Sequence, residues 1–178
     1  MKTYLTYGFA MALGGLVLTV LLFFLGFHSD PAKLATGQMI GMVGGLTISV
    51  VCIVFGTKAR RAEIPAAEPF GYAQALGTGV MITLFSSIFG VLGHWLYISV
   101  INPGMIDVTV QAQIAKWEAM GMSGDQIEKA ENVMRKMMSP AVQAGFAFIF
   151  GMIFGTVISL ITSAFLKRPA SDQPPLTA

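Results

Sequence analysis

The chain is poor in charge. Of its 178 residues only 11% are Asp, Glu, Lys or Arg, against 54% hydrophobic, whereas a soluble domain carries about 25% charged residues. So little charge cannot coat a water-facing surface. It equally excludes a disordered chain, which would be polar and charge-rich. Cysteine is almost absent: the one thiol, Cys52, excludes an intramolecular disulfide and any paired-cysteine metal or redox motif. The two histidines, His28 and His94, lie too far apart for a zinc signature. A formal net charge of +2 gives no basis for binding nucleic acid. Enzyme signatures are missing as well. There is no HExxH, GxSxG or Walker loop, and Gly77-Thr78-Gly79 lacks the third glycine of a dinucleotide fingerprint, where Ile82 stands. These absences predict a chain that is not an enzyme, with no cofactor, no metal site and no nucleic-acid partner.

What is present is arranged in long gaps between charges. Positions 3–27, 34–57, 69–106 and 137–166 contain no Asp, Glu, Lys or Arg. About 20 apolar residues in a helix cross the ~30 Å hydrocarbon core, and in lipid the backbone must satisfy its own hydrogen bonds. Four transmembrane helices are therefore predicted, at about 4–27, 34–57, 70–101 and 140–166. The fold class is an all-α integral membrane protein, with 1–168 as a single domain in the lipid bilayer and 169–178 a disordered, Pro-rich tail. The first apolar stretch exceeds the core of a signal peptide and no A-x-A site follows it, which predicts that it is retained.

Orientation follows from the loops. One side carries Lys2, Lys58, Arg60, Arg61, Lys167 and Arg168 against Glu63, Glu68 and Asp172, a net of +3. The other carries five basic residues against six acids, a net of −1. Basic residues near helix ends mark the cytoplasmic side, so both termini are predicted to be cytoplasmic. The only substantial polar insert, 104–138, then lies outside. In it Ile106, Val110, Ile114 and Trp117 recur at helical spacing, and Gly121 ends that helix. Ser123-Gly124-Asp125-Gln126 matches a capping box, and Ile127, Ala130, Met134 and Met137 share one face of a second helix. The insert is thus an extracytoplasmic amphipathic helical hairpin between the third and fourth spans. Six of the twelve methionines lie in it, an adaptable apolar surface rather than a metal site.

Within the spans, small residues repeat every four positions. The second span has Gly37, Gly41, Gly45 and Ser49, and the fourth has Ala147, Gly151, Gly155, Ser159 and Ser163. The third has Gly79, Thr83 and Ser87, with Gly90 and His94 close by. Small residues let helices approach in lipid, within the bundle, in a homo-oligomer or against a membrane-protein partner. His94 is the one titratable side chain inside a charge-free run, and an intramembrane ionisable group is a candidate functional residue. Trp95 and Tyr97 beside it mark the outer aromatic belt, while His28-Ser29-Asp30-Pro31 signals a turn.

Four motifs carry a family resemblance: Phe70-Gly71-Tyr72-Ala73-Gln74-Ala75 after a basic loop, Ile101-Asn102-Pro103-Gly104-Met105-Ile106, Gly121-Met122-Ser123-Gly124-Asp125-Gln126-Ile127-Glu128, and Met138-Ser139-Pro140. With them, residues 5–166 resemble the small bacterial membrane protein family called domain of unknown function 4199. The family pattern has Asp in place of Asn102 and an acid in place of Gly124. The resemblance implies a bacterial inner-membrane location and four spans. It supplies no activity, so no functional residue is carried over.

Two functions suit such a chain. The first is a non-enzymatic accessory or assembly protein, motivated by the packing faces. The second is a small oligomeric transporter or channel for an apolar or weakly polar solute, with His94 lining the path. A membrane enzyme would require an outer acid such as Asp107 to pair with His94.

Overall fold

A computed structural model describes residues 1–169; the tail expected to be disordered lies outside them apart from Pro169. Six α-helices follow one another: α1 (Lys2–Phe24), α2 (Leu34–Ala62), α3 (Tyr72–Leu96), α4 (Met105–Ala119), α5 (Gly124–Met137) and α6 (Pro140–Leu166). A π-helical turn, Tyr97–Ile101, continues α3. Among the described residues there is no strand, only one bridge pair between Phe70 and Arg168. Four segments are long and apolar enough to cross a membrane: α1, α2, α3 with its π turn, and α6.

Local chemistry sets the ends. The first span stops three residues short of the expected position because Gly26 takes a left-handed φ of 81°. Its N–H bonds Phe23 O and the Phe27 N–H bonds Leu22 O, both at 2.9 Å, the paired bonds of a Schellman cap. Gly121, at φ 78°, ends α4 in the same way, its N–H bonding Glu118 O and the Met122 N–H bonding Trp117 O. The Ser123 capping box forms as expected, the Ser123 N–H donating to Gln126 Oε1 at 3.0 Å. By contrast α2 runs five residues past its apolar stretch, since Lys58, Arg60 and Arg61 suit a helix C-terminus. A gap between charges measures apolar length, not helix length.

In the body, α3 packs chiefly on α1 and α6, and α2 mainly on α1. A small core of Ile53, Ile82 and Ile158 sits between them, flanked by Tyr4, Tyr7 and Met11. The small faces of α3 and α6 meet in antiparallel register. Gly79 lies against Ser159, Thr83 against Gly155 and Ser87 against Gly151. Ser159, Ser163 and Thr83 are fully buried there, and Thr83 and Ser159 return their hydroxyls to the carbonyls of Gly79 and Gly155 at 2.9 and 2.7 Å. On α1, Gly8 meets α3 almost backbone to backbone: a Cβ there would stand 2.9 Å from Ile82 O and 3.1 Å from Ser86 N. The α1–α2 pair is reciprocal, with Gly14 facing Ile48 and Gly44 facing Leu18.

The two ends of the body differ. At one, Thr3 bonds Glu63, Arg61 donates to Leu166 O at 3.2 Å, and Arg168 Nη2 reaches the carbonyls of Ile64, Pro65 and Glu68 at 3.2, 2.8 and 3.1 Å. This end gathers the N-terminus, the 63–71 loop and the close of α6. The other end holds His28, the π turn and the start of α6. The α4–α5 hairpin packs more on itself than on the body, so it does not cap the bundle.

Candidate functional site

A half-open cavity of about 320 Å³ lies between α1, α2 and α3, most of its lining residues only half-buried. Its walls explain it. Ala12, Gly15 and Thr19 come from α1, Gly41, Gly45 and Ser49 from α2, and Ser86, Gly90 and Gly93 from α3. Three small-residue faces converge, but larger side chains elsewhere hold the helices apart. A Cβ at Gly15, Gly45 or Gly90 would meet nothing within 4 Å. The small face expected on α2 is therefore split in its use. Gly37 packs on Phe27 and Gly41 on Leu22, whereas Gly45 lines open space, as does Ser49. The tight glycine contacts of α2 are Gly37, as expected, together with Gly44 and Gly56. Gly151, Gly155 and Ser159 all sit in the α3–α6 seam.

His94 and Tyr97 complete the cavity wall. His94 Nε2 lies 2.9 Å from Gln143 Oε1, and the Gln143 amide donates to Met138 O. The amide orientation leaves Oε1 as acceptor, so His94 donates to it from Nε2. The cavity has no charged lining residue. Thr19 and Ser49 donate to the carbonyls of Gly15 and Gly45 at 2.9 and 2.8 Å, which leaves their oxygen lone pairs free to accept. The cavity therefore offers mostly acceptors to a guest.

Tyr97 does not sit in an aromatic belt. It is 2% exposed, and its hydroxyl accepts from Asn102 Nδ2 at 3.0 Å and donates to His28 Nδ1 at 2.6 Å. His28 and Asn102 are buried with it. The π turn creates this arrangement: the Asn102 N–H bonds Tyr97 O, five residues back, at 2.7 Å. One extra residue in the turn swings Asn102 inward, and such π bulges recur at functional sites. Burial pushes the His28 imidazole below its ordinary pKa, because the charged form loses water. Reading His28 as a turn residue missed this cluster. The available signal was a second histidine at the same end as the Asn102-Pro103-Gly104 break.

Asp107 pairs with Arg135 at 2.8 Å rather than with His94. Among the described residues no three His, Cys, Asp or Glu side chains come together as a metal-binding group.

A family model described as "Protein of unknown function (DUF4199)" matches residues 6–168. The chain belongs to this family. The match covers α1 from Thr6 onward, the other three long helices and the hairpin, so cavity and cluster both fall within the DUF4199 region. No curated protein and no solved structure matches the chain.

Proposed function

We propose that this DUF4199 protein is a four-span protein of the bacterial cytoplasmic membrane, with both termini cytoplasmic, and that it binds and passes a small neutral solute through the α1–α2–α3 cavity. Support for the spans is the outward surface. Phe9, Leu13, Val17, Leu21 and Phe24 form an exposed stripe along α1, and Phe146, Phe150, Ile153, Phe154, Ile161 and Phe165 stand out on α6; soluble monomers rarely expose such contiguous apolar area. Support for the orientation is the gathering of Lys58, Arg60, Arg61, Lys167 and Arg168 at the ends of α2 and α6.

The observation that carries the solute function is the cavity with His94 in its wall. At about 320 Å³ it is at the small end of ligand sites, which run from about 300 to 1,000 Å³. Without a charged partner it favours a neutral guest, since an unpaired buried charge is costly. Its acceptors favour a guest with O–H or N–H donors. An accessory or assembly role draws less support, because the α3 and α6 small faces that motivated it are spent on each other inside the bundle.

Stopped-flow swelling of proteoliposomes with glycerol and urea tests the proposal. Protein-dependent permeation is expected, slowed when Gly45→Leu fills the cavity and altered in His94→Ala. Permeation equal to that of empty liposomes, or unchanged in Gly45→Leu, refutes it. For topology, Ser123→Cys in a Cys52→Ser background should react with an impermeant maleimide from outside; reaction only after permeabilisation inverts the orientation.

A further inference from the structure

The α4–α5 hairpin carries an open apolar groove of about 630 Å³, lined by Trp117, Ala130, Val133, Met134, Met137 and Met138, with Lys129 as its one charged member. Val133 and Met137 are 58% and 54% exposed, a high degree for apolar side chains on an amphipathic helix. The charges of α5 are unevenly used. On one flank Arg135 is held by Asp107 of α4 and by Glu131, each at 2.8 Å. On the other flank Lys129 and Lys136, seven residues and so two turns apart, lie beside the Val133–Met137 strip. Among the described residues neither lysine pairs with a carboxylate.

We infer that this strip seats in the membrane's own outer lipid layer, with Lys129 and Lys136 on anionic headgroups. The inference rests on the four-span proposal. Charge complementarity selects the occupant. An apolar strip edged by lysines, whose stems lie along apolar surface while the ammonium groups reach phosphate, is the pattern of an interfacial helix. A second copy fits poorly, because a symmetric pair across the strip would bring like-charged lysine edges together. Position agrees: Met137 and Met138 end the groove, and the residues after Ser139, Pro140 and Ala141, already line an apolar cleft between α3 and α6. The groove thus begins where the fourth span does. Its methionines suit fluid acyl chains of varied shape.

The test uses the full chain in nanodiscs made with brominated lipids, which quench nearby tryptophan. Trp117 is read in Trp95→Phe, and Trp95 in Trp117→Phe. Trp117 quenching is expected, stronger in phosphatidylcholine with phosphatidylglycerol than in phosphatidylcholine alone. Two lysines at an anionic surface shift the docked-to-free ratio about thirtyfold. Lys129→Gln with Lys136→Gln should abolish the difference between the two lipids. Quenching of Trp95 without Trp117 overturns the hairpin inference alone, and quenching of neither overturns the four-span proposal itself. Equal Trp117 quenching in both lipids also overturns the inference. So does disulfide dimer formation by Val133→Cys in a Cys52→Ser background, which would make a second copy the occupant.

Discussion

Gly8 and Gly45 are both helical glycines, yet adding one methyl to each should act with opposite sign. At Gly8 an alanine Cβ would stand 2.7 Å from Phe85 Cβ and 2.9 Å from Ile82 O. Carbon atoms rest at about 3.5–4.0 Å, so α1 and α3 must part by roughly 0.8 Å. No rotamer relieves this, because the obstacles are backbone atoms and a Cβ. A gap of that size forfeits a quarter to a half of each dispersion contact it opens, including those beside the Phe9–Phe89 edge-to-face pair, whose centroids are 5.4 Å apart. Overpacking of this kind costs about 1–3 kcal/mol. Against it stands the helix-propensity gain of Gly→Ala, about 0.8–1 kcal/mol. At Gly45 the methyl enters open space, so only the gain remains. Propensity cancels in the comparison, and Gly8→Ala should be less stable than Gly45→Ala by about 1–3 kcal/mol. Equilibrium unfolding in mixed micelles with SDS as denaturant measures the difference. Equal stabilities, or a more stable Gly8→Ala, would refute the close α1–α3 approach.

Three further outcomes are expected. The buried His28 accepts a proton less readily folded than unfolded, so the unfolded chain binds more protons and stability falls as pH drops below about 6.5. Thermal melts should show that slope, and His28→Gln, which cannot titrate, should flatten it. The Thr57 hydroxyl is buried without a partner among the described residues; Thr57→Val should raise stability by about 1–2 kcal/mol, the desolvation penalty removed, and a lower melting temperature would count against the packing around it. Arg168→Ala frees the carbonyls of Ile64, Pro65 and Glu68, costing about 1–2 kcal/mol; limited proteolysis should cut loop 63–71 faster, and unchanged cleavage would mean that Arg168 does not hold it.

Much of the fold was legible because its causes are local. Pro140 starts α6 and Leu166 ends it, as apolar length and flanking charge foretold, and Ser123 with Gln126 caps α5 within three residues of chain. His94 was legible as the lone titratable group in an apolar run, and it does line the cavity. Its partner Gln143, 49 positions away, was not. Nor was the His28–Tyr97–Asn102 cluster, which joins residues 69 and 5 positions apart through a π turn that no apolar period announces.

By itself the sequence determined four helices of membrane-crossing length, the hairpin between the last two, and the set of small residues available for close approach. Hydropathy, capping and charge act over a few neighbouring residues, so they can be read along the chain. Only the tertiary structure decided how those small residues are used: Gly79, Thr83 and Ser87 close on Ser159, Gly155 and Gly151, while Gly15, Gly45 and Gly90 line a half-open cavity. The physical reason is that contact or cavity depends on the rotation and register of whole helices. Those are fixed by contacts between residues distant in the sequence, such as Gly14 with Ile48, Gly44 with Leu18 and Gly8 with Phe85.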